Sequence, residues 1–212
     1  MCAVTQPSHA SAQHPYFPLK AGATWTYTYP EVVDPSNSSS NVRHVIDASD
    51  VDGTYRVQED QRIATLPRTR VVHTYEIRNG NVLLMSDELS GDFPGSLGTQ
   101  GRHLKVPAPI VLGANLEKGM HWKGGPTKGM RECTVLDFVD LRVAAGTFEK
   151  VAKILVKISY ISSDTNREKF GPTTHEYYAP NVGLVKIDVL LETGKFGTYL
   201  ELTEYSVPEE PR

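Results

Sequence analysis

Two cysteines, two tryptophans and four methionines are all that the 212 residues contain of these types. Two cysteines cannot build the disulfide framework of a small secreted scaffold, nor a structural zinc site made of thiolates. A chain of this length needs neither, because it can bury enough of its own surface to be stable. Cys133 sits in an apolar strand pattern and reads as a small buried hydrophobe; pairing with Cys2 stays open. Also missing is any run of the roughly 18 apolar residues that a membrane-spanning helix needs, so no transmembrane span is expected. Basic excess is absent as well. Against 22 Lys and Arg stand 25 Asp and Glu, a net charge of −3, which sets nucleic acid aside as a partner. The basic residues are scattered singly, which argues against an anionic membrane surface. Long amphipathic helices are lacking too, with one or two turns at most over Val111 to Lys118.

What the chain has in quantity is strand. TWTYTY, NVRHVIDA, TYRVQEDQRIAT, TRVVHTYEIR and NVLLMS follow one another, rich in β-branched and aromatic residues and separated by turn chemistry. Asn79-Gly80 is the strongest hairpin signal, because a type I′ turn needs positive φ at both central positions. Strands resume with RECTVLDFVD, LRVAA, EKVAKILVKISYIS, THEYYA, GLVKIDVLLE and TYLELTEYSV. In KVAKILVKISYI, Ala152, Ile154, Val156, Ile158 and Tyr160 form an apolar row on one face while lysines fall on the other. The pattern predicts an all-β fold with minor helix, an antiparallel meander forming a strongly curved sheet or half-barrel. Residues 86 to 118, dense in Gly and Pro, read as a long loop of functional or connecting kind.

Domain organisation reads as a flexible leader over 1–15, a single β domain over 16–206 and a polar tail over 207–212. Both tryptophans stand in the same phrase, LKAGATW and LEKGMHW, 97 positions apart. His73-Thr-Tyr75 recurs as His175-Glu-Tyr177, and Gly53-Thr54-Tyr55 as Gly146-Thr147-Phe148. A duplication with halves 16–112 and 113–206 would account for these echoes, and so would chance among β-hairpins.

No constellation for catalysis emerges, and the chain is expected not to be an enzyme. PGSLG at Pro94 to Gly98 has proline where a nucleophile elbow needs its first glycine. GGPTKG at Gly124 to Gly129 lacks the ending of a phosphate-binding loop. Asp50-Val-Asp52-Gly53 carries Ala48 at the first position of a calcium loop. The seven histidines show no zinc spacing, and Met120, His121, Met130 and Cys133 make only a weak soft-ligand group. Glu59 and Asp60 are neighbours on a strand, point to opposite faces and cannot act as a dyad. Neither a metal nor a cofactor is expected. The aromatics are more suggestive: they either fill the core or wall an apolar cavity, and Trp25, Tyr27, Trp122, Phe138, Tyr160 and Tyr178 are the candidate ligand-binding residues.

Three stretches, YFPLKAGATWTYTY (Tyr16 to Tyr29), VAAGTFEKVAKILV (Val143 to Val156) and EYYAPNVGLVKI (Glu176 to Ile187), resemble a family of uncharacterised bacterial envelope proteins, many of them assigned as lipoproteins. The resemblance covers most of residues 16 to 206 and carries no known active site. It implies a curved antiparallel sheet similar to the half-barrels of lipoprotein carriers, and it implies export. It also gives weight to Cys2 as a lipid-bearing cysteine, beside the readings in which Ala10-Ser11-Ala12 is a cleavage site or the leader is a plain cytoplasmic tail. The expectation is an extracytoplasmic binding module, periplasmic or lipid-anchored, holding an apolar small molecule or lipid on its concave face. The alternative is a structural or protein-interaction domain of the envelope, with another envelope protein as partner and no small ligand.

Overall fold

Asn79 and Gly80 adopt φ of 51° and 74°, the pair of positive values a type I′ turn demands, and place Arg78 opposite Asn81 in a tight hairpin. The structure, a computed structural model, describes residues 13–30, 39–49, 53–62, 68–91, 100–103, 109–125, 130–161 and 168–208. Its strands are β1 (Thr24–Thr28), β2 (Ser40–Ser49), β3 (Thr54–Arg62), β4 (Thr69–Arg78), β5 (Asn81–Gly91), β6 (Gln100–His103), β7 (Ile110–Leu112), β8 (His121–Gly124), β9 (Met130–Val143), β10 (Gly146–Ile161), β11 (Glu168–Ala179), β12 (Gly183–Leu190) and β13 (Phe196–Ser206). Every pairing among them is antiparallel.

Twelve strands lie side by side in the order β6-β5-β4-β3-β2-β1-β13-β12-β11-β10-β9-β8, and β7 pairs with β5 off this path. The sheet is thus a meander whose first strand is joined to its last, and it curls into a nearly closed barrel. The seam lies between β7 and β8. There the Trp122 indole donates to the Ile110 carbonyl at 3.3 Å, and a Cβ on Gly124 would run into the backbone nitrogen of Ile110. Glycine is needed at that position because only a residue without a side chain lets the two backbones come so close.

Alternation decides what faces inward. On β10, Ala152, Ile154 and Val156 are fully or almost fully buried, which is the apolar row expected from sequence. Tyr27, Tyr55, Val135, Leu200 and Leu202 complete the same layer from β1, β3, β9 and β13. A full-length helix is absent among the described residues, and none is long and apolar enough to cross a membrane. The turn or two of helix expected at Val111 to Lys118 is not formed: Ile110–Leu112 is strand and the chain then turns at Lys118 and Gly119. The long loop expected over 86–118 is in part wall, since β5 runs on to Gly91 and β6 and β7 pair against it. Residues 92–99 and 104–108 of that stretch lie outside the described residues.

One end of the barrel is sealed by a strap, residues 13–23. His14 bonds the Gly113 carbonyl at 2.9 Å, the Asn181 amide donates to the Pro15 carbonyl at 2.7 Å, and the Phe17 ring sits edge-on to Tyr75 with 5.2 Å between centroids. The short turns Asn79-Gly80, Ala144-Ala145 and Pro180 to Val182 gather at this sealed end. By the up-and-down course of the strands, the connections after β1, β3, β5, β8, β10 and β12 all leave at the other end.

The two tryptophan phrases share one geometry. Gly22 and Gly119 have φ of 80° and 84°. The amides of Ala23 and Met120 donate to Lys20 and Glu117 at 3.0 and 2.9 Å, and those of Gly22 and Gly119 to Val45 and Val135 at 3.2 and 2.8 Å. The His-x-Tyr echo does not share a geometry. Tyr75 faces the interior beside Phe17, whereas Tyr177 lies on the outer face between Lys153 and Lys186, and on β11 it is Glu176 and Tyr178 that point inward.

Candidate functional site

Above the strap the interior is not uniformly apolar. Tyr55 and Val57 on β3 point inward, and strand alternation therefore aims Glu59 and Gln61 inward too. Opposite them on β2 stand Asn41 and Arg43, registered against Gln61 and Glu59. Arg43 Nε lies 2.6 Å from Glu59 Oε2; its N–H is misaligned with that oxygen, so the ion pair is not a hydrogen bond through Nε. Asn41 and Gln61 both donate to Glu59 Oε1, at 2.7 and 2.5 Å. On β4, His73 has Nε2 3.5 Å from Glu59 and Nδ1 2.8 Å from Asp87 of β5. One carboxylate thus ties three strands together, and His73 carries the network on to a fourth through Asp87.

A second group faces it across the barrel. Arg131 of β9 reaches Glu176 of β11 at 2.5 Å, and the Tyr178 hydroxyl donates to the same carboxylate at 2.7 Å. Phe17 of the strap touches both sides, with its ring 5.2 Å from Tyr75 and 6.4 Å from Tyr178, so Tyr75, Phe17 and Tyr178 floor the space between the two groups.

Burial alone would push Glu59 up, but Arg43, His73 and Gln61 outweigh it and hold the carboxyl well below its usual range. Burial would lower His73, but its bonds to Asp87 and Glu59 raise it above its ordinary 6.5. Tyr27, enclosed beside Arg43, is pushed far above its ordinary value by desolvation, as is Tyr178. Cys133, free and fully buried, is driven up to about 11 by the same cause.

These side chains face inward, yet those of Arg43, Arg131 and His73 keep 24%, 19% and 19% of their accessible surface. These inward-facing charged groups are therefore partly open to water rather than sealed in a dry core. Below them the packing tightens. A cavity of about 30 Å³ remains among Phe17, Leu19, Trp25, Tyr27, Arg43 and Tyr75, room for two or three waters at about 10–15 Å³ each and too little for an acyl chain. A larger hollow of about 570 Å³ lies outside the barrel, between the strap and Tyr205, Val207 and Pro208, away from the charged belt.

The residues expected to bind ligand do not form one site. Trp25 and Tyr27 line the small cavity, and their polar atoms are engaged with backbone: the indole donates to Val182 at 2.6 Å and the phenol to Leu184 at 2.9 Å. Tyr178 belongs to the charged belt. Trp122 latches the seam, Phe138 packs on Tyr16 of the strap, and Tyr160 is 41% exposed near the opposite end of β10. Cys2 lies outside the described residues. Sequence reasoning named none of Arg43, His73, Asp87, Arg131 and Glu176 as a site residue, and weighed Glu59 only as half of a dyad with Asp60. The available signal was parity: Glu59 shares a face with Tyr55 and Val57, and Arg131 with Cys133 and Val135.

The fold defines a class, an antiparallel meander curled into a barrel-like sheet. Two solved structures share the architecture. A "putative lipoprotein" from Parabacteroides distasonis matches over 92% of this chain and 99% of its own, with a TM-score of 0.50 and 16% identity. A "putative exported protein with YmcC-like fold" from Bacteroides fragilis matches over 90% of this chain and 98% of its own, with a TM-score of 0.55 and 15% identity. At such identities the likeness is one of fold. No protein-family model matches the sequence, and no curated protein does.

Proposed function

We propose that this protein is an extracytoplasmic, non-catalytic binding module whose ligand enters the barrel from the end opposite the strap and rests on the charged belt. The observation that carries this reading is the accessible surface retained by inward-facing Arg43, Arg131 and His73. A side chain that served only to fill the core would have been closed off. The names borne by the two structural neighbours, a lipoprotein and an exported protein, support placement outside the cytoplasm. Binding is favoured over catalysis because Glu59, the most enclosed carboxyl, is held ionised by Arg43 and is not set up to donate a proton.

The belt also argues for a polar ligand over the apolar one expected from sequence. Laying hydrocarbon across ion-paired groups strips them of water without replacing its hydrogen bonds, a cost of several kcal/mol, on the order of 2–7 per group. The test is a thermal-shift screen of the purified protein against polar small molecules, peptides and acyl lipids, with native mass spectrometry of protein recovered from its own cell envelope. The expected result is stabilisation by a polar class, lost in Arg131→Lys. Stabilisation only by acyl lipid would overturn the polar lumen. A bare mass with no class giving a shift would leave the structural or protein-interaction domain in its place.

A further inference from the structure

The barrel is bonded unequally around its circumference. Neighbouring strands from β6 round to β8 share ladders, but among the described residues no ladder joins β8 to β7 or to β6. β7 is registered against β5 at two positions and β8 against β9 at four. Across the seam itself stands one hydrogen bond, from the Trp122 indole to the Ile110 carbonyl at 3.3 Å, longer than is usual for an N–H donor. The backbones of Gly124 and Ile110 come close there without pairing, so the seam is closed by packing rather than by a ladder.

The strap end is different. His14 bonds the Gly113 carbonyl at 2.9 Å, and the Ala114 amide donates to Asn81 at 3.1 Å. The amides of Gly119 and Val135 donate to the carbonyls of Val135 and Met120 at 2.8 and 2.9 Å. The connection from β7 to β8 is thus pinned on both sides. A wall fixed at one end and bonded once along its length parts there first, because local opening at that place breaks the fewest bonds. Cys133 lies under the latch. It is registered directly against Trp122, and it is free and fully buried. Partners across an antiparallel pair share a face, so moving the indole aside uncovers the thiol.

We propose that the barrel opens sideways along the β7–β8 seam, hinged at the strap end and latched by Trp122, while the other ladders stay closed. The opening joins interior and solvent through the wall, a route separate from the end opposite the strap, and it does not depend on what the interior holds.

The experiment is alkylation of the folded, full-length chain with iodoacetamide, read by mass spectrometry, in a Cys2→Ser background that leaves Cys133 as the sole thiol. An opening confined to the seam exposes little surface, so the Cys133 rate should rise with urea far less steeply than global unfolding does. Val185→Cys on β12, fully buried at its wild-type valine, is the comparator in a chain that also carries Cys2→Ser and Cys133→Ser. It should be labelled only through global unfolding, at least about a hundredfold more slowly than Cys133. Trp122→Phe keeps a ring and removes the N–H. It should speed Cys133 labelling about fivefold beyond any change at Val185→Cys. If Val185→Cys does not fold, the urea dependence at Cys133 decides by itself. A Cys133 rate with the full urea dependence of global unfolding, or one indifferent to Trp122→Phe, overturns the proposal.

Discussion

Neutralising Glu59 is the perturbation that probes the interior most directly. Glu59→Gln preserves the shape and leaves an acceptor for Asn41 and Gln61, but it strips Arg43 of its counter-charge at 2.6 Å. Breaking a fully buried pair in this way costs about 3–5 kcal/mol. Glu59 keeps only 5% of its side-chain surface but Arg43 keeps 24%, so part of the stranded charge is rehydrated and a loss of about 2–3 kcal/mol is expected. For a chain of this size that is a fall in Tm of about 4–12 °C. Urea unfolding followed by Trp25 and Trp122 fluorescence reads it, with the denaturant slope unchanged. The comparator is Asp60→Asn, next along the same strand but on the outer face, where its pair with Arg70 is 2.9 Å long and Arg70 is half exposed; it should lose under about 1 kcal/mol. Replacing both partners, Arg43→Met with Glu59→Leu, should restore much of the stability. Because the fold holds the Glu59 carboxyl below its ordinary 4.5, its contribution is complete above that value and fades as pH falls below it. Equal, small losses in Glu59→Gln and Asp60→Asn would refute the placement of Glu59 inside the barrel.

Two further outcomes follow from the same geometry. His73 is held above 6.5 in the fold by Asp87 and Glu59, so its contribution is complete below that pH and is lost as pH rises through the raised value. Chemical denaturation between pH 6 and 9 should show this decline, and His73→Gln should flatten it. At the two doorways, Gly22→Ala and Gly119→Ala each force a side chain into φ of 80° and 84° and should each cost about 1 kcal/mol or slightly more; a large inequality between them would argue against equivalent turns.

Much of the wall was legible in the sequence. Period-two runs located the strands, Asn79-Gly80 located a hairpin, and the apolar row on β10 chose its own inner face. Parity also carried the belt, but Arg43, Glu59 and Arg131 resemble the polar half of any half-buried strand until the register shows which half is inside. Even a shared pattern does not fix a face. His73 and Tyr75 fall on the inward parity of β4, whereas on β11 that parity belongs to Glu176 and Tyr178. The two His-x-Tyr tripeptides therefore end on opposite faces. The tryptophan phrases escape this because each carries its own turn, with glycine conformation and local hydrogen bonds fixed within a few residues of the ring. Sequence echoes held together by local bonds survive folding as structural echoes, whereas those that depend on distant register need not.

The strap has a directional consequence. Residues 13–23 close one end of the barrel, and Gln13 and Pro208 stand together on that closed side. The two ends of the described chain therefore share one face, and the strands between them run out and back like the staves of a cup.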